Sequence, residues 1–152
     1  MKIKIYTDGA AKGNPGNGGY GIVMTAGKHR KEFSEGFRLT TNNRMELLSV
    51  IVALETIKSP NSDVEVWSDS KYVVDSVDKG WVFGWEKKNF KGKKNQDLWK
   101  RYLKIHPRHK VSFHWIKGHA GHPENERCDE LAVEAAESRK LKVDTWYEEN
   151  AN

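Results

Sequence analysis

Hydrophobic and polar side chains alternate with a period of two in several parts of the chain, which is typical of β-strands that bury one face. Five segments are predicted strands on this ground: residues 2–7, 20–26, 31–37, 64–67 and 111–115. A turn at Gly27-Lys28 separates the second strand from the third. The first three strands are therefore expected to form an antiparallel meander.

Four other segments carry hydrophobic residues at helical spacing. We predict helices near residues 42–58, 70–77, 97–106 and 123–140. Thr41 or Asn42 is a suitable N-cap for the first, and Ser59-Pro60 ends it, because the residue before a proline disfavours helical backbone. A strand, a long helix and another strand in this order favour parallel pairing with a right-handed crossover. The predicted class is therefore α/β.

The composition predicts one globular domain over residues 1–152, because 37% of the residues are hydrophobic and 31% charged. Cys128 is the one cysteine, so no intrachain disulfide can form and a reducing cytoplasm suits the chain. The N-terminus lacks the apolar stretch of a signal peptide, and no run is long enough to span a membrane. The acidic tail over about 142–152 is expected to be loosely held.

Four acidic residues occupy comparable places in these elements. Asp8 ends the first strand, Asp69 follows the fourth, Glu46 is in line with the buried stripe of the long helix, and Asp129 lies on the last helix. Each has an ordinary structural explanation: a turn, a helix cap, a helix-dipole partner and a surface acid, respectively. Parallel neighbouring strands, however, would bring Asp8 and Asp69 to one carboxyl edge, where ligands bind in α/β sheets.

A cluster of four carboxylates is strongly repulsive unless a cation lies among them. Hard oxygen ligands suit Mg²⁺ or Mn²⁺ better than zinc. Two such ions about 4 Å apart would activate a water and stabilise the leaving oxygen of a phosphodiester. The four acids together therefore predict a metal site for phosphodiester hydrolysis.

Two further motifs suggest other chemistry and are rejected on their context. Gly16, Gly18 and Gly21 match the spacing of a dinucleotide-binding loop, but a strand rather than a helix follows them. His114, His119, His122 and Cys128 form a candidate zinc set, but their spacing fits no standard pattern. His119, between two small residues in a loop, is instead a candidate for moving protons near a metal site, or simply a surface histidine.

The net charge of +5 is unevenly distributed. Residues 79–104 hold nine lysines and arginines and two acids, so this part carries +7 and the rest −2. Within it, residues 79–96, which we call the basic segment, interleave aromatic residues with lysines. This pattern favours a contact with a polyanion, although a solvated lysine face would have the same composition.

Six motifs follow one another along the chain: Tyr6-Thr7-Asp8-Gly9, Gly13-Asn14-Pro15-Gly16, residues 41–47, Ser68-Asp69-Ser70, residues 115–122 and residues 123–129. In these motifs the chain resembles bacterial type 1 ribonucleases H over nearly its whole length. The resemblance implies a five-stranded mixed sheet flanked by helices. It also implies a metal-dependent enzyme that hydrolyses the RNA strand of RNA/DNA hybrids and leaves 5′-phosphate and 3′-hydroxyl ends.

The resemblance also assigns roles to individual residues. It implies that Asp8, Glu46, Asp69 and Asp129 hold Mg²⁺ or Mn²⁺, with two ions when substrate is bound, and that His119 assists proton transfer or product release. The residues it implies for the RNA strand are Asn14, Asn42 and Asn43, whose amides can both donate to and accept from a 2′-hydroxyl. The residues it implies for the DNA strand are Thr41, Trp81, Trp85, Lys87, Lys88, Asn95 and Trp99, of which Thr41 and Asn95 would form a pocket for one DNA phosphate. Trp99 has a core position on its helix as the alternative.

Some positions differ from the family pattern. Leu39 stands where many relatives have arginine, Lys71 where glutamine is common, and the basic segment is short. These differences concern affinity for the DNA strand rather than the chemistry. Two other functions stay open at this point, a non-catalytic nucleic-acid binding domain and a deoxyribonuclease or strand-transfer enzyme. We expect a monomer that needs no protein partner.

Overall fold

The computed structural model describes residues 2–118 and 121–150. Its elements in chain order are β1 (Lys2–Lys12), β2 (Gly16–Ala26), β3 (His29–Thr40), α1 (Asn42–Glu55), β4 (Asp63–Ser68), α2 (Lys71–Asp78), α3 (Trp81–Lys87), α4 (Gln96–Ile105), a short 3₁₀ turn (His106–Arg108), β5 (Lys110–Trp115), α5 (Pro123–Ala136) and α6 (Thr145–Asn150). No helix among the described residues combines the length and apolar character that crossing a membrane requires.

The five strands form one mixed sheet in the order β3-β2-β1-β4-β5. β1, β2 and β3 pair antiparallel, whereas β4 pairs parallel to both β1 and β5. The register sets Tyr6 opposite Trp67, so Asp8 and Asp69 each lie two residues beyond the last pair of β1 and β4. The predicted sheet class, meander and parallel pairing are confirmed.

Helices cover the two faces of the sheet unequally. The main core lies between the sheet and α1, where Met45, Leu47, Val50 and Leu54 are fully buried. On the other face α5 packs against β2, β1 and β3, and Gly21 lies so close to it that a Cβ would be 2.2 Å from the carbonyl oxygen of Cys128. Gly19 and Gly21 thus allow α5 to lie close to β2, which begins at Gly16, four residues before the predicted start of this strand.

Several boundaries differ from the predictions. β1 does not end at Thr7 but continues to Lys12, because β2 begins at Gly16 and pairs with it along this whole stretch. α1 ends three residues early, at Glu55, and α5 ends at Ala136. The basic segment contains a helix, α3, that hydrophobic periodicity does not predict.

The prediction of a loosely held tail is wrong for residues 142–150. The Lys142 backbone forms a bridge to β3, donating to the carbonyl oxygen of Gly36 at 2.8 Å and accepting from the Arg38 nitrogen at 2.9 Å. Asp144 is buried and accepts hydrogen bonds from Arg44. Acidic residues of the tail therefore form ion pairs with one buried and one exposed arginine.

Candidate active site

Asp8 and Glu46 meet because β1 and the start of α1 approach closely at Gly9. A Cβ built on Gly9 would lie 2.5 Å from the Glu46 nitrogen, so only glycine allows this approach. The Gly9 nitrogen donates to Asp8 Oδ1 at 2.9 Å. Both carboxylates are buried, although the Asp8 side chain still reaches the surface of a cavity.

Asp69 completes a group of three carboxylates. It follows β4 and precedes α2, whose N-cap Ser70 accepts from the Val73 nitrogen at 3.3 Å. One carboxylate oxygen from each of Asp8, Glu46 and Asp69 lies within 4.8 Å of the other two. The predicted convergence of these three acids on one place is therefore what the structure shows.

Asp129 approaches the same place from α5. It is half-buried and lines, together with Asp8 and Asp69, a cavity of about 160 Å³. His122, Asn125 and Glu126 also line this cavity. Asn125 is a residue that the sequence analysis missed: it is buried, and its Oδ1 has no hydrogen-bond partner within residues 2–118 and 121–150. Nothing in its sequence context distinguishes it from a helix-surface amide.

Burial and mutual repulsion perturb the acids. Desolvation is the largest cause that raises the pKa of Asp8 to about 7, and the negative charges of Asp69 and Asp129 add to it. Desolvation likewise raises the pKa of Glu46 well above its ordinary value, with repulsion from Asp8 next. Without a cation, these two groups therefore hold protons that a free carboxyl has lost at neutral pH.

The donor set fits a hard divalent cation. Glu46 Oε2 is buried and has no hydrogen-bond partner among the described residues, which is costly unless a cation or proton lies against it. Three carboxylates from three different elements converge with their oxygens close together. Oxygen-only ligands of this kind suit Mg²⁺ or Mn²⁺ rather than zinc.

The histidines do not form the alternative zinc set. His114 stacks on Trp67, with ring centroids 4.4 Å apart, and Cys128 is buried with its thiol donating to the carbonyl oxygen of Tyr6. No group of ligating side chains that includes either residue occurs in the described part of the chain. His119 lies outside the described residues, so its predicted role stays a prediction.

The three asparagines predicted for the RNA strand lie exposed beside the start of α1. Asn42 Oδ1 accepts from the Ala11 nitrogen at 2.6 Å, and Asn14 Oδ1 accepts from the Asn42 nitrogen at 3.1 Å. Because both carbonyl oxygens accept hydrogen bonds within the protein, the amide N–H groups of Asn14 and Asn42 are the donors that these exposed side chains can offer to a ligand. Asn43 is exposed in the first turn of α1.

The basic segment presents one exposed and one half-buried tryptophan. Trp81 is 47% exposed at the start of α3, with the Lys79 ammonium 5.4 Å from its ring centroid. Trp85 is half-buried, with the Lys93 ammonium 5.0 Å from its ring. Lys87 and Lys88 are exposed at the end of the same helix. Aromatic faces and lysines thus form one exposed surface.

Trp99 does not belong to that surface. It is 0% exposed, packs edge-on against Trp85 and Tyr102, and donates from Nε1 to the hydroxyl of Tyr72 at 2.8 Å. Its side chain is therefore a core element, as the alternative interpretation had it, and the expectation of a direct contact with DNA is wrong. Its helical spacing with Tyr102 was the signal for the core position.

Thr41 and Asn95 both form a hydrogen bond with Arg44, Thr41 with its backbone and Asn95 with its side chain. Thr41 caps α1 by accepting from the Arg44 nitrogen at 3.2 Å, and Arg44 Nη1 donates to Asn95 Oδ1 at 3.3 Å. Asn95 itself precedes α4 in left-handed backbone, with φ of 63°. The two residues that the resemblance assigns to a DNA phosphate are thus held by a common partner.

Comparison with known proteins identifies the family of this chain. The RNase H family profile matches residues 1–137. The chain belongs to the RNase H family. It is 55% identical to a ribonuclease H of Desulforamulus reducens, covering 94% of this chain and 92% of the relative, and 53% identical to a ribonuclease H of Shewanella amazonensis, covering 97% and 96%.

Solved structures of the family have the same fold. LC9-RNase H1, a type 1 RNase H with the type 2 active-site motif, superposes with a TM-score of 0.82 at 31% identity, covering 99% of this chain and 81% of that chain. LC11-RNase H1 in complex with an RNA/DNA hybrid superposes with a TM-score of 0.65 at 29% identity, covering 89% and 96%. The predicted family, fold and hydrolytic nuclease class are confirmed.

Proposed function

We propose that this RNase H family member binds RNA/DNA hybrids and hydrolyses the RNA strand at the carboxylate site, leaving 5′-phosphate and 3′-hydroxyl ends. The observation that carries the proposal is the convergence of Asp8, Glu46 and Asp69 within 4.8 Å. Ribonucleases H that are about half identical to this chain over nearly its whole length support the activity. The hybrid bound to a structural relative supports the substrate.

The acids would hold Mg²⁺, with Mn²⁺ as the other suitable ion and two ions when substrate is bound. Asp8, Glu46 and Asp69 are the ligands whose oxygens converge, and Asp129 lines the same cavity as Asp8 and Asp69. When bound, the cations would supply an activated water and charge stabilisation for the leaving oxygen. The water gives up a proton as its oxygen adds to phosphorus, the bond from phosphorus to the 3′ oxygen breaks, and that oxygen takes up a proton, so that one water is consumed.

The chain's own residues bind the duplex and move protons. Asn14 and Asn42 present amide N–H groups that can donate to ribose 2′-hydroxyls, which DNA lacks, and Asn43 lies beside them. Glu46, on the same helix as Asn42 and Asn43, would stand close to the 2′-hydroxyl and the attacking water. His119 would accept or return the proton at the leaving group, a role suited to an imidazole near neutral pH.

The exposed surface of the basic segment would hold the DNA strand. Trp81 and Trp85 offer aromatic faces to sugars and bases, and Lys87 and Lys88 offer charges to phosphates. Thr41 and Asn95 would form the contact with one DNA phosphate. The amides select the RNA strand, and the aromatic and lysine surface selects the other strand by shape and charge.

The deciding experiment uses one end-labelled strand in RNA/DNA, RNA/RNA and DNA/DNA duplexes, each incubated with the protein and Mg²⁺ and then with EDTA. Cleavage of the hybrid's RNA strand alone, and only with metal, is expected. Binding without cleavage would instead indicate a non-catalytic nucleic-acid binding domain. Cleavage of the all-DNA duplex would indicate a deoxyribonuclease on the same fold.

The carboxylates are tested separately. Asp8→Asn and Asp69→Asn should abolish turnover while the hybrid is still bound, because the exposed nucleic-acid surface is untouched. Asp63→Asn, at the exposed start of β4 and at the opposite end of the sheet, is the matched control and should cleave normally. Normal turnover in either active-site variant would refute the assignment.

We further propose a single domain over residues 1–152 that acts as a cytoplasmic monomer without an obligate protein partner. These proposals derive from the length, the composition and the one cysteine of the sequence. Light scattering on the purified protein tests the monomer: a mass near 17.5 kDa is expected. A mass of twice that value would require a dimer.

A further inference from the structure

Arg44 is the centre of a buried polar network that joins three distant parts of the chain. Its side chain is almost fully buried, and it donates from Nε and Nη2 to Asp144 at 2.7 and 3.0 Å. It also donates from Nη1 and Nη2 to Asp97 at 2.9 and 2.7 Å. A guanidinium has five N–H donors in a fixed fork, so two carboxylates on two sides determine its orientation.

The same guanidinium reaches a residue assigned to the DNA phosphate. Arg44 Nη1, besides bonding Asp97, donates to Asn95 Oδ1 at 3.3 Å. The Asn95 amide nitrogen donates to the hydroxyl of Tyr72 at 3.0 Å. An amide nitrogen has two N–H donors, so one is left for a phosphate oxygen while the carbonyl end and the other N–H fix the plane of the amide.

The C-terminal segment, residues 142–150, supplies one side of this network and is itself firmly attached. Asp144 also accepts from the Thr40 hydroxyl at 2.8 Å, directly before Thr41. The rings of Trp146 and Tyr147 lie 5.1 and 5.7 Å from the Arg44 guanidinium carbon. Glu148 pairs with Arg38 of β3 by three hydrogen bonds of 2.8 to 3.2 Å.

We propose that the C-terminal segment is a positioning element for substrate: Asp144 orients the Arg44 side chain that holds Asn95, and it fixes Thr40 beside Thr41, so that Asn95 and Thr41 are correctly placed for the DNA phosphate. The inference rests on the proposed function, because it presupposes that these two residues contact the hybrid. It assigns a role in binding to a segment that lies outside the metal site. Asp144, Arg44 and Trp146 are positioning residues and do not touch the substrate.

The physical reason is the balance of donors and acceptors around a buried cation. If Asp144 becomes neutral, Arg44 keeps Asp97 but loses the charged acceptor of its Nε and of one Nη2 proton. Buried donors without acceptors are costly, so the guanidinium turns toward Asp97 and away from its present position. Asn95 then loses its fixed carbonyl partner, and Thr40, next to Thr41, loses its acceptor.

The test measures steady-state cleavage of a hybrid with Mg²⁺ by the full chain, well below the melting temperature of every variant. Asp144→Asn should raise KM about tenfold, the equivalent of weakening one charged hydrogen bond, with kcat within about twofold. The Kd for Mg²⁺ alone, without nucleic acid, should not change. The slope of log KM against log salt should also be unchanged, because Thr41 and Asn95 are uncharged and do not neutralise a phosphate.

Two variants serve as the control and the safeguard. Glu148→Gln removes the exposed pair with Arg38 but leaves Arg44 untouched, and it should keep a wild-type KM. Trp146→Leu removes the aromatic face over Arg44 while every carboxylate remains, and it should raise KM in the same direction. If Asp144→Asn does not fold, Trp146→Leu decides the question.

A wild-type KM in a folded Asp144→Asn protein would overturn the inference and leave the segment a purely stabilising role. If Asp144→Asn does not fold, a wild-type KM in Trp146→Leu has the same meaning. An equal rise of KM in Glu148→Gln would also overturn it, because the effect would then not act through Arg44. Failure of the proposed function is distinguishable from both, since the wild-type protein itself would not cleave the hybrid.

Discussion

Gly9 faces the first turns of α1 so closely that a Cβ atom on it would lie 2.5 Å from the backbone nitrogen of Glu46. Because Gly9 directly follows Asp8, its close approach to Glu46 brings two of the site's carboxylates together. The neighbouring contacts are equally tight, at 2.6 Å to the Met45 carbonyl carbon. The geometry of the metal site therefore depends on a position with no side chain.

Gly9→Ala should consequently damage both stability and activity. We expect the free energy of unfolding to fall by about 1–3 kcal/mol, because backbone atoms must move to admit the methyl group. Turnover should fall as Glu46 moves away from Asp8. Urea denaturation and hybrid cleavage measure the two effects. Gly84→Ala, a helical position in α3 with nothing within 4 Å, is the control and should not lose stability. Wild-type stability in Gly9→Ala would contradict the close approach.

The raised pKa values predict how the metal-free protein responds to pH. The unfolded chain loses the protons of Asp8 and Glu46 near pH 4, whereas the folded protein keeps that of Asp8 until about pH 7, and the pKa of Glu46 is likewise raised well above its ordinary value. The folded state then binds more protons than the unfolded state, so stability falls as pH rises from about 5 to 8. Thermal unfolding in EDTA across this range measures the decline.

Adding Mg²⁺ should reverse that decline, because the cation binds only the deprotonated carboxylates. The increase in melting temperature on adding Mg²⁺ should therefore be larger at pH 8 than at pH 5.5. Glu46→Gln should flatten the pH dependence in EDTA and weaken the Mg²⁺ effect, whereas Glu134→Gln, on the exposed side of α5, should change neither. A melting temperature that rises with pH in EDTA would contradict the raised pKa values.

The two tryptophans Trp99 and Trp81 should respond in opposite ways to substitution. Trp99→Leu leaves a cavity and removes the hydrogen bond to Tyr72, so the free energy of unfolding should fall by about 3 kcal/mol or more. Trp81→Leu, at an exposed site, should change stability by less than about 0.5 kcal/mol but raise KM for the hybrid. Each variant is the control of the other. Equal stability losses would place Trp81 in the core as well.

The lysines at the end of α3 should contribute to the salt dependence of binding. Lys87→Gln and Lys88→Gln should each lower the slope of log affinity against log salt by about 0.7 to 0.9, if each lysine neutralises one phosphate. Lys28→Gln, in the exposed turn between β2 and β3, should leave the slope unchanged. Binding by a catalytically inactive Asp8→Asn protein at several salt concentrations gives the slopes. Identical slopes in all variants would remove these lysines from the interface.

The sequence by itself determined the elements and the chemistry of the site. Alternation and helical spacing located all five strands and four of the helices, because burial of one face is a local pattern. The order of strand, long helix and strand implied parallel neighbours, which places Asp8 and Asp69 at one edge. Glu46 could be added because it is in line with the buried stripe of its helix.

The tertiary structure alone decided which side chains meet across the chain. Asp144 contacts Arg44 across 100 residues, and no periodicity distinguishes that acid from the exposed ones around it. The helical spacing of Trp99 suits a core position, whereas the aromatic and basic residues around it in the sequence suit a nucleic-acid surface. Its packing against Tyr72 and Tyr102 places it in the core. The close contact of Gly9 with α1 likewise depends on how helix and sheet pack. Hydrophobic periodicity specifies which face of a helix or strand is buried. Which other element that face contacts depends on packing and charge compensation over the whole fold.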